Sequence, residues 1–360
     1  MSEIQNSFIC PSLIECELND KFRRKEIVKK IKSEKNPVLE IEISCLKYYN
    51  KLEEHLSEIL STNPNSISTL NIILNEIQLS EKIYLIIAQS ISKFKHLKEL
   101  SIELCSVKLK DQQIKQIVYE IVDLDMLKSL SIDISNNNLI TNDISQYFGL
   151  TISQLSKLQK LSLSIGGCSK IEDEFIQKYA QLTRKAISLE DVSLHLSDTK
   201  IKAFNFLKNI CEIQNLKSLS ITYNFSSVEA EQSFLENLNI FNTKIKSLSL
   251  YFQGSHFQQV RQNSDEYFFM NLGKILNNFT KLKELFLNCE NQKQKIDLIP
   301  FYKSMSDKII EGVSIYLNTD NEKENSQLKL LAQESSQQLL RFVILDKIQK
   351  YFKHYTQLLC

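Results

Sequence analysis

The sequence predicts an α/β protein built as a repeat solenoid, with a parallel sheet on one side and helices on the other. Three observations support this prediction. One eight-residue phrase recurs along the chain at a nearly constant spacing. Within the phrase the apolar residues alternate as they do in a strand, and between phrases they follow helical spacing. Such a unit cannot bury its apolar face alone, so neighbouring units must stack.

The recurring phrase is L-x-x-L-S-[I/L]-x-[I/L], with conservative replacements. Clear copies occupy 97–104, 127–134, 158–165, 189–196, 216–223 and 245–252, looser ones begin at Ile67, Leu282 and Ile310, and a degenerate one runs through Leu39, Ile41 and Ile43. From Ile67 onward, successive copies start 30, 30, 31, 31, 27, 29, 37 and 28 residues apart. Chance does not produce nine phrases in such a register, so we predict about ten stacked repeats.

The segments between the phrases have the pattern of amphipathic helices. In 110–123 the apolar residues fall at i, i+3, i+4 and i+7, namely Ile114, Ile117, Val118 and Ile121. Ser80 and Ser227 stand where helix N-caps are expected. Each repeat is therefore predicted to run through a strand, a turn, a helix and a return to the next strand.

These residues carry a resemblance to a known family. The phrase resembles the ribonuclease-inhibitor-like class of leucine-rich repeats, whose pattern is L-x-x-L-x-L-x-x-[N/C]-x-L. Two copies follow it furthest, with Asn75 and Cys105 at the Asn/Cys position. The resemblance covers roughly 36–320 and implies a horseshoe with a concave parallel sheet and convex helices. In five other copies the Asn/Cys position holds Ser135, Gly166, Ser197, Gln253 and Glu290, which argues against a regular asparagine ladder.

The ends of the array are predicted to be caps, because stacked repeats must cover their exposed end faces. We expect an N-terminal helical cap over 1–35, a solenoid over 36–322 and a C-terminal helical cap over 323–360. The first cap contains a basic run at 21–25 beside an apolar stripe of helical spacing. A nuclear-import signal or a patch for an anionic surface is the alternative interpretation of that run.

Composition argues against several functional classes. The 44 Lys+Arg residues nearly balance the 43 Asp+Glu residues, so nucleic-acid binding is not predicted for the chain as a whole. There are only six glycines, and neither a GxxxxGK[ST] nor a GxGxxG motif occurs. The eight cysteines form no C-x-x-C pair and no zinc-spaced cluster with histidine. We therefore predict no cofactor, no metal and no small-molecule substrate.

The same features bear on location. No apolar stretch is long enough to span a bilayer, and the first residues carry no apolar leader. Reduced thiols then fit an intracellular protein. We expect a cytoplasmic chain, with the nucleus as the alternative.

The strand residues between the leucines are predicted to face outward on the concave side. Their central position is mostly serine and ends at Phe286 and Ser314. None of these serines has a sequence-adjacent His/Asp partner, so we predict no nucleophile and no enzyme. The chemically varied residues are candidates for partner binding: Glu99, Glu103 and Asp133 at one end, His195 in the middle, and Tyr251, Phe286 and Tyr316 at the other end.

A partner with a basic end and an apolar end would fit this distribution, because aromatic anchors and complementary charges dominate many interfaces. Scattered surface variation is the alternative. The insertion at 253–264 contributes two more candidates, His256 and Arg261, because insertions in solenoids form loops and loops often bind partners. A loop without a function is the competing interpretation.

The sequence thus predicts an intracellular scaffold that binds a protein partner through the concave face. One alternative is a regulator of a small GTPase, of the activating type that the resemblance includes, although the five arginines match no such motif. Another is weak nucleic-acid binding through the N-terminal basic run. The concave positions contain no Lys/Arg stripe that would extend that interface.

Overall fold

One parallel sheet connects the described parts of the chain. The computed structural model describes residues 13–16, 38–43, 52–61, 64–225, 227–253, 264–290, 301, 304, 314–318 and 342–344. The strands in this part are β1 (Leu13–Cys16), β2 (Val38–Ile43), β3 (Thr69–Leu74), β4 (Glu99–Glu103), β5 (Ser129–Asp133), β6 (Lys160–Ser164), β7 (Asp191–His195), β8 (Ser218–Tyr223), β9 (Ser247–Gln253), β10 (Glu284–Glu290), β11 (Ser314–Asn318) and β12 (Phe342–Ile344). They lie side by side in chain order and run parallel.

Helices alternate with these strands, as the predicted repeat requires. They are α1 (Leu52–Leu60), α2 (Glu81–Ile91), α3 (Asp111–Ile121), α4 (Ser145–Gln154), α5 (Asp173–Thr183), α6 (Phe206–Cys211), α7 (Val228–Leu238) and α8 (Ser264–Asn277). Short 3₁₀ turns precede or follow some of them, at Pro64–Ser66, Asn142–Ile144 and Asn239–Phe241. The α/β class and the repeating strand–helix architecture are therefore confirmed.

The hydrophobic core lies between the sheet and the helices. Along β3 the residues alternate between half-buried and fully buried, and Leu70 and Ile72 are among the buried ones. In α3 the predicted stripe is buried, and its members belong to the same hydrophobic cluster as the strand leucines. This single cluster is continuous from repeat to repeat, which is how stacking buries faces that one unit cannot bury.

Both predicted N-caps are confirmed. The Ser80 hydroxyl accepts a hydrogen bond from the backbone N–H of Ile83 at 3.4 Å, and α2 begins at the next residue. The Ser227 hydroxyl accepts one from Ala230 at 3.3 Å, before α7. Each cap satisfies a donor that would otherwise lack a partner in the first helical turn.

The turns after the five strands β3 to β7 repeat a left-handed backbone conformation. The residues with positive φ at equivalent places are Glu76 (58°), Ser106 (57°), Asn136 (60°), Gly167 (71°) and Asp198 (56°). Only one of these is a glycine, although the conformation disfavours residues with a Cβ atom. Stacking supports the turn, because the Ser106 and Asn136 amides donate to the next repeat's carbonyls at 3.0 and 2.7 Å.

Asparagine side chains connect adjacent repeats, but not in a regular ladder. At the family position, Asn75 accepts the backbone N–H of Cys105 at 2.8 Å. Farther along, Asn137 connects its repeat to the preceding one, and it lies two residues after the Asn/Cys position of the family pattern. It is fully buried and accepts the amides of Val107 and Leu109 at 3.2 and 2.8 Å. Its own amide group donates to three backbone carbonyls at 2.7 to 3.2 Å.

A glycine allows α4 and α5 to approach closely. A Cβ atom added at Gly149 would lie 2.5 Å from the Cβ of Leu182 and 3.2 Å from the carbonyl oxygen of Tyr179. Real Cβ atoms do not approach this closely, so the helix spacing here depends on the missing side chain.

The last repeat differs from the register that the sequence suggests. The phrase starting at Ile310 places Ser314 in the central outward position, whereas β11 pairs Ser314 with Glu284 and Tyr316 with Phe286. The repeat therefore begins two residues later than predicted. The pairing of β11 with β10 determines the register, because the looser phrase is compatible with more than one frame.

Within the two predicted caps the structure describes the strands β1 and β12, which pair with β2 and β11. The basic run at 21–25 and the proposed cap helices lie outside the described residues, so the caps stay a prediction.

Candidate functional site

The face of the sheet opposite the hydrophobic core presents continuous rows of side chains. We call it the serine face and define it by its central row: Asn71, Ser101, Ser131, Ser162, Ser193, Ser220, Ser249 and Phe286, each paired in register with the next. The backbone of β11 continues this register and pairs Tyr316 with Phe286. From Asn71 to Phe286 these residues are half-buried. The predicted ladder of small hydroxyls is thus confirmed in register and ends at an aromatic residue.

A second row runs beside the first at the carboxyl ends of the strands. Its members are Ile73, Glu103, Asp133, Ser164, His195, Thr222, Tyr251 and Asn288. The structure therefore brings four of the predicted candidates into one row. Tyr316 was expected here as well, but it lies in the central row because of the register of β11.

The acidic candidates differ in how much surface they offer. Glu99, at the start of β4, is exposed, and it accepts a hydrogen bond from the Thr69 hydroxyl at 3.4 Å. Glu103 and Asp133 are only 6% and 7% exposed. Glu103 accepts from the Asn75 amide at 3.4 Å. These contacts and their burial tie Glu103 into the fold and leave it little area for a partner.

Asp133 has a similar local role. Its carboxylate accepts the backbone N–H of Ser135 at 2.9 Å, which fixes the start of the turn after β5. The nearby Cys105 thiol has a raised pKa, first because it is buried and second because of the Asp133 charge. The thiol thus remains protonated at neutral pH, which makes it a poor nucleophile and a poor metal ligand.

A hydrogen-bonded chain of side chains extends from this point across three repeats. The hydroxyls of Ser135 and Ser164 are 2.7 Å apart, and the Ser164 hydroxyl is 3.1 Å from Nδ1 of His195. The imidazole lies over Gly166, where an added Cβ would be 3.1 Å from Nε2. Burial lowers the pKa of His195, while the carboxylates of Asp133 and Asp198 act in the opposite direction. The histidine is therefore held neutral within a polar network.

A hydroxyl bonded to an imidazole is also the pair that a nucleophilic catalyst needs. Two observations argue against that role here. Ser164 is only 4% exposed, so a substrate atom has little access to its oxygen. That oxygen is also engaged by Ser135 on its other side. The geometry favours a network that fixes the ends of neighbouring strands.

Sequence reasoning had identified His195 but not its partners. The signal was available, because the phrase register already places Ser164 and His195 at equivalent positions in consecutive repeats. Ser135 and Gly166 both gave a signal, because both depart from the Asn/Cys position. What the sequence could not supply is the contact between the Ser135 and Ser164 hydroxyls, which joins a turn to a strand of the next repeat.

Other candidate chemistry can be placed only in part. His256 and Arg261 lie outside the described residues, so the proposed loop site stays a prediction. In the described ranges, no group of three or more His, Cys, Asp or Glu side chains is arranged to bind a metal ion. No helix in those ranges combines the length and the apolar character that crossing a membrane requires.

Comparison with known proteins adds no identification: no family model matches the chain, and no curated protein is significantly similar to it.

Proposed function

We propose that this chain is an intracellular scaffold of the ribonuclease-inhibitor-like leucine-rich-repeat class, which binds a protein partner through its serine face. The observation that carries the proposal is the unbroken register of the outward rows from β3 to β10. A partner lying across the strands would meet equivalent side chains at every step. Because the surface is preformed, little conformational entropy is lost on binding.

Spacing arguments support a horseshoe with the serine face inside. Neighbouring strands in a sheet lie about 4.8 Å apart, whereas packed helices are separated by about 8–10 Å. A strand–helix unit that repeats many times must therefore curve toward its sheet. The serine face then becomes the concave surface, as in the family that the phrase resembles.

The aromatic end of the face is the best candidate for an anchor. Phe286 is half-buried beside Ser249, and Tyr251 occupies the second row one strand away. Aromatic side chains in such settings supply large contact areas at a low cost in side-chain entropy and are common hot spots. Glu103 and Asp133 are less suitable contacts because they are buried in the polar network.

The proposal can be tested by blocking the face without removing any buried group. Ser162→Arg/Ser220→Arg places two bulky side chains in the central row, at positions that are half-buried. A matched control, Leu150→Arg/Gln181→Arg, places them on exposed positions of α4 and α5. Partners are captured from native lysate with the intact chain and with both variants, and the thermal unfolding of each is compared.

We expect the intact chain and the control to retain the same partner and the serine-face variant to lose it, with similar melting temperatures. Retention of every partner by the serine-face variant would contradict the proposal. Loss by the control alone would instead indicate binding through the helices.

A further inference from the structure

A concentration of lysines lies at the amino ends of β8, β9 and β10. The loops 242–246 and 278–283, which lead into β9 and β10, contain four lysines and no carboxylate, and the next residue, Glu284, is an exposed carboxylate at the start of β10. Lys217 occupies the equivalent place before β8. We call this set the lysine edge: Lys217, Lys244, Lys246, Lys281 and Lys283.

The backbone fixes the spacing of this edge. The carbonyl of Lys217 accepts the N–H of Lys246 at 2.7 Å, and the carbonyl of Lys246 accepts the N–H of Lys283 at 2.8 Å. The three lysines therefore stand at the same height on adjacent strands, about 4.8 Å from one another. Their charges repel each other unless something anionic lies beside them.

The described residues neutralise only part of this charge. Lys217 forms an ion pair with Glu190 at 2.7 Å. Lys244 donates its ammonium group to the carbonyl of Cys211. The side chains of Lys246, Lys281 and Lys283 are exposed, and none of the three pairs with a carboxylate in the described part of the chain.

Compensation of helix dipoles does not explain the lysines. That effect operates within the last helical turn. The last turn of α7 contains no basic residue, and Lys246 lies well beyond it, just before β9. Lys283 likewise follows the end of α8 by a full loop. In α8 the place that compensates the dipole is already occupied by Lys274, in its last turn.

The edge has a defined limit on its β7 side. In the preceding repeat, Glu190 stands at the place equivalent to Lys217. In the part of the edge that the structure describes, the basic run spans three strands, or about 10–15 Å, which matches about four residues of an extended peptide. A polynucleotide that extended past this limit would meet the carboxylate of Glu190, and three neutralised phosphates supply only a small part of the electrostatic term on which nucleic-acid binding depends.

We propose that the lysine edge is an interaction surface for a short aspartate- and glutamate-rich segment of a partner protein. The carboxylates of an extended segment lie across the strands and pair with Lys246, Lys281 and Lys283. This surface is the edge of the sheet and not its serine face, so the proposal stands or falls independently of the function proposed above.

The test uses the full chain and a fluorescein-labelled oligoglutamate of about eight residues, with binding followed by fluorescence anisotropy at about 50 mM salt. The test variant is Lys246→Glu/Lys283→Glu. The chain offers a matched control, Lys98→Glu/Lys128→Glu, at the same position of earlier repeats, where the lysines are also exposed. A labelled oligothymidylate of similar length serves as the second probe.

We expect the intact chain and the control variant to bind oligoglutamate, and the test variant to bind it at least about tenfold more weakly, since two attractive contacts become repulsive. An equal loss in both variants would overturn the proposal, because it would show a diffuse charge effect. Tighter binding of oligothymidylate than of oligoglutamate, or no binding of the peptide by the intact chain, would overturn it as well.

Discussion

Replacement of Asn137 by alanine tests how the repeats are held together. Asn137 is fully buried in the turn after β5, and its side chain connects that turn to the turn of the preceding repeat. Asn137→Ala removes the acceptor of two amides and a donor to three carbonyls. The alanine side chain has no polar atom that could replace these hydrogen bonds.

The expected cost follows from the donors that are left without a partner. A buried polar group that loses its hydrogen bond costs about 1–3 kcal/mol. The amides of Val107 and Leu109 both lose theirs, at original distances of 3.2 and 2.8 Å. We therefore expect Asn137→Ala to lower the free energy of unfolding by about 2–6 kcal/mol, a large part of the total for a natural protein.

The assay is urea unfolding followed by far-UV circular dichroism, with Asn138→Ala as the matched control. Asn138 is the exposed neighbour and accepts from the Ser169 hydroxyl at 2.9 Å. Its replacement should cost less than about 1 kcal/mol, because water can satisfy exposed groups. A loss below 1 kcal/mol for Asn137→Ala, or equal losses for the two variants, would refute the reasoning.

Three further predictions concern packing and titration. Gly149→Ala should destabilise the chain by about 1–3 kcal/mol in the same assay, because the contact with Leu182 outweighs the gain in helix propensity; a stabilised variant would show that the helices can move apart. Burial lowers the pKa of His195, so protonation of this residue favours the unfolded chain. The free energy of unfolding should therefore be highest above about pH 6.5 and decrease below it. Between pH 7.5 and 5.5 the melting temperature of His195→Gln should then fall less than that of the intact chain, and an equal fall in both would contradict this. Burial raises the pKa of Cys168 to about 11 and also raises that of Cys105, so iodoacetamide at pH 8 should label both slowly in the folded chain and rapidly in urea, as peptide mass mapping would show.

The periodic part of the fold could be predicted from the sequence, because each strand repeats one buried pattern in one register. Leu100 and Leu130 pair directly, as their phrases predict. The prediction was wrong for β11, where a looser phrase left two frames open and the pairing of Tyr316 with Phe286 selected the later one. Periodicity identifies a frame only where the pattern is strict.

The turns and the polar network could be predicted much less well. Glu76 and Ser106 adopt positive φ because stacked neighbours hold them there, and no propensity for those residue types indicates it. The same limit applies to the site. The pattern placed Glu103 and Asp133 outward, as the register confirms, but their burial depends on turns that fold back beside them. Contacts between a strand and a turn of another repeat leave no periodic trace.

The central claim, that a partner lies on the serine face, is tested most directly by site-specific photo-crosslinking. The photoreactive residue p-benzoylphenylalanine replaces Tyr251 or Phe286 on that face. In matched controls it replaces Tyr119 or Tyr267, which are 72% and 64% exposed on α3 and α8. After illumination in native lysate, we expect the same partner to be crosslinked at Tyr251 and Phe286 and not at the two controls. Adducts formed only at Tyr119 or Tyr267, or at none of the four positions, would contradict the claim.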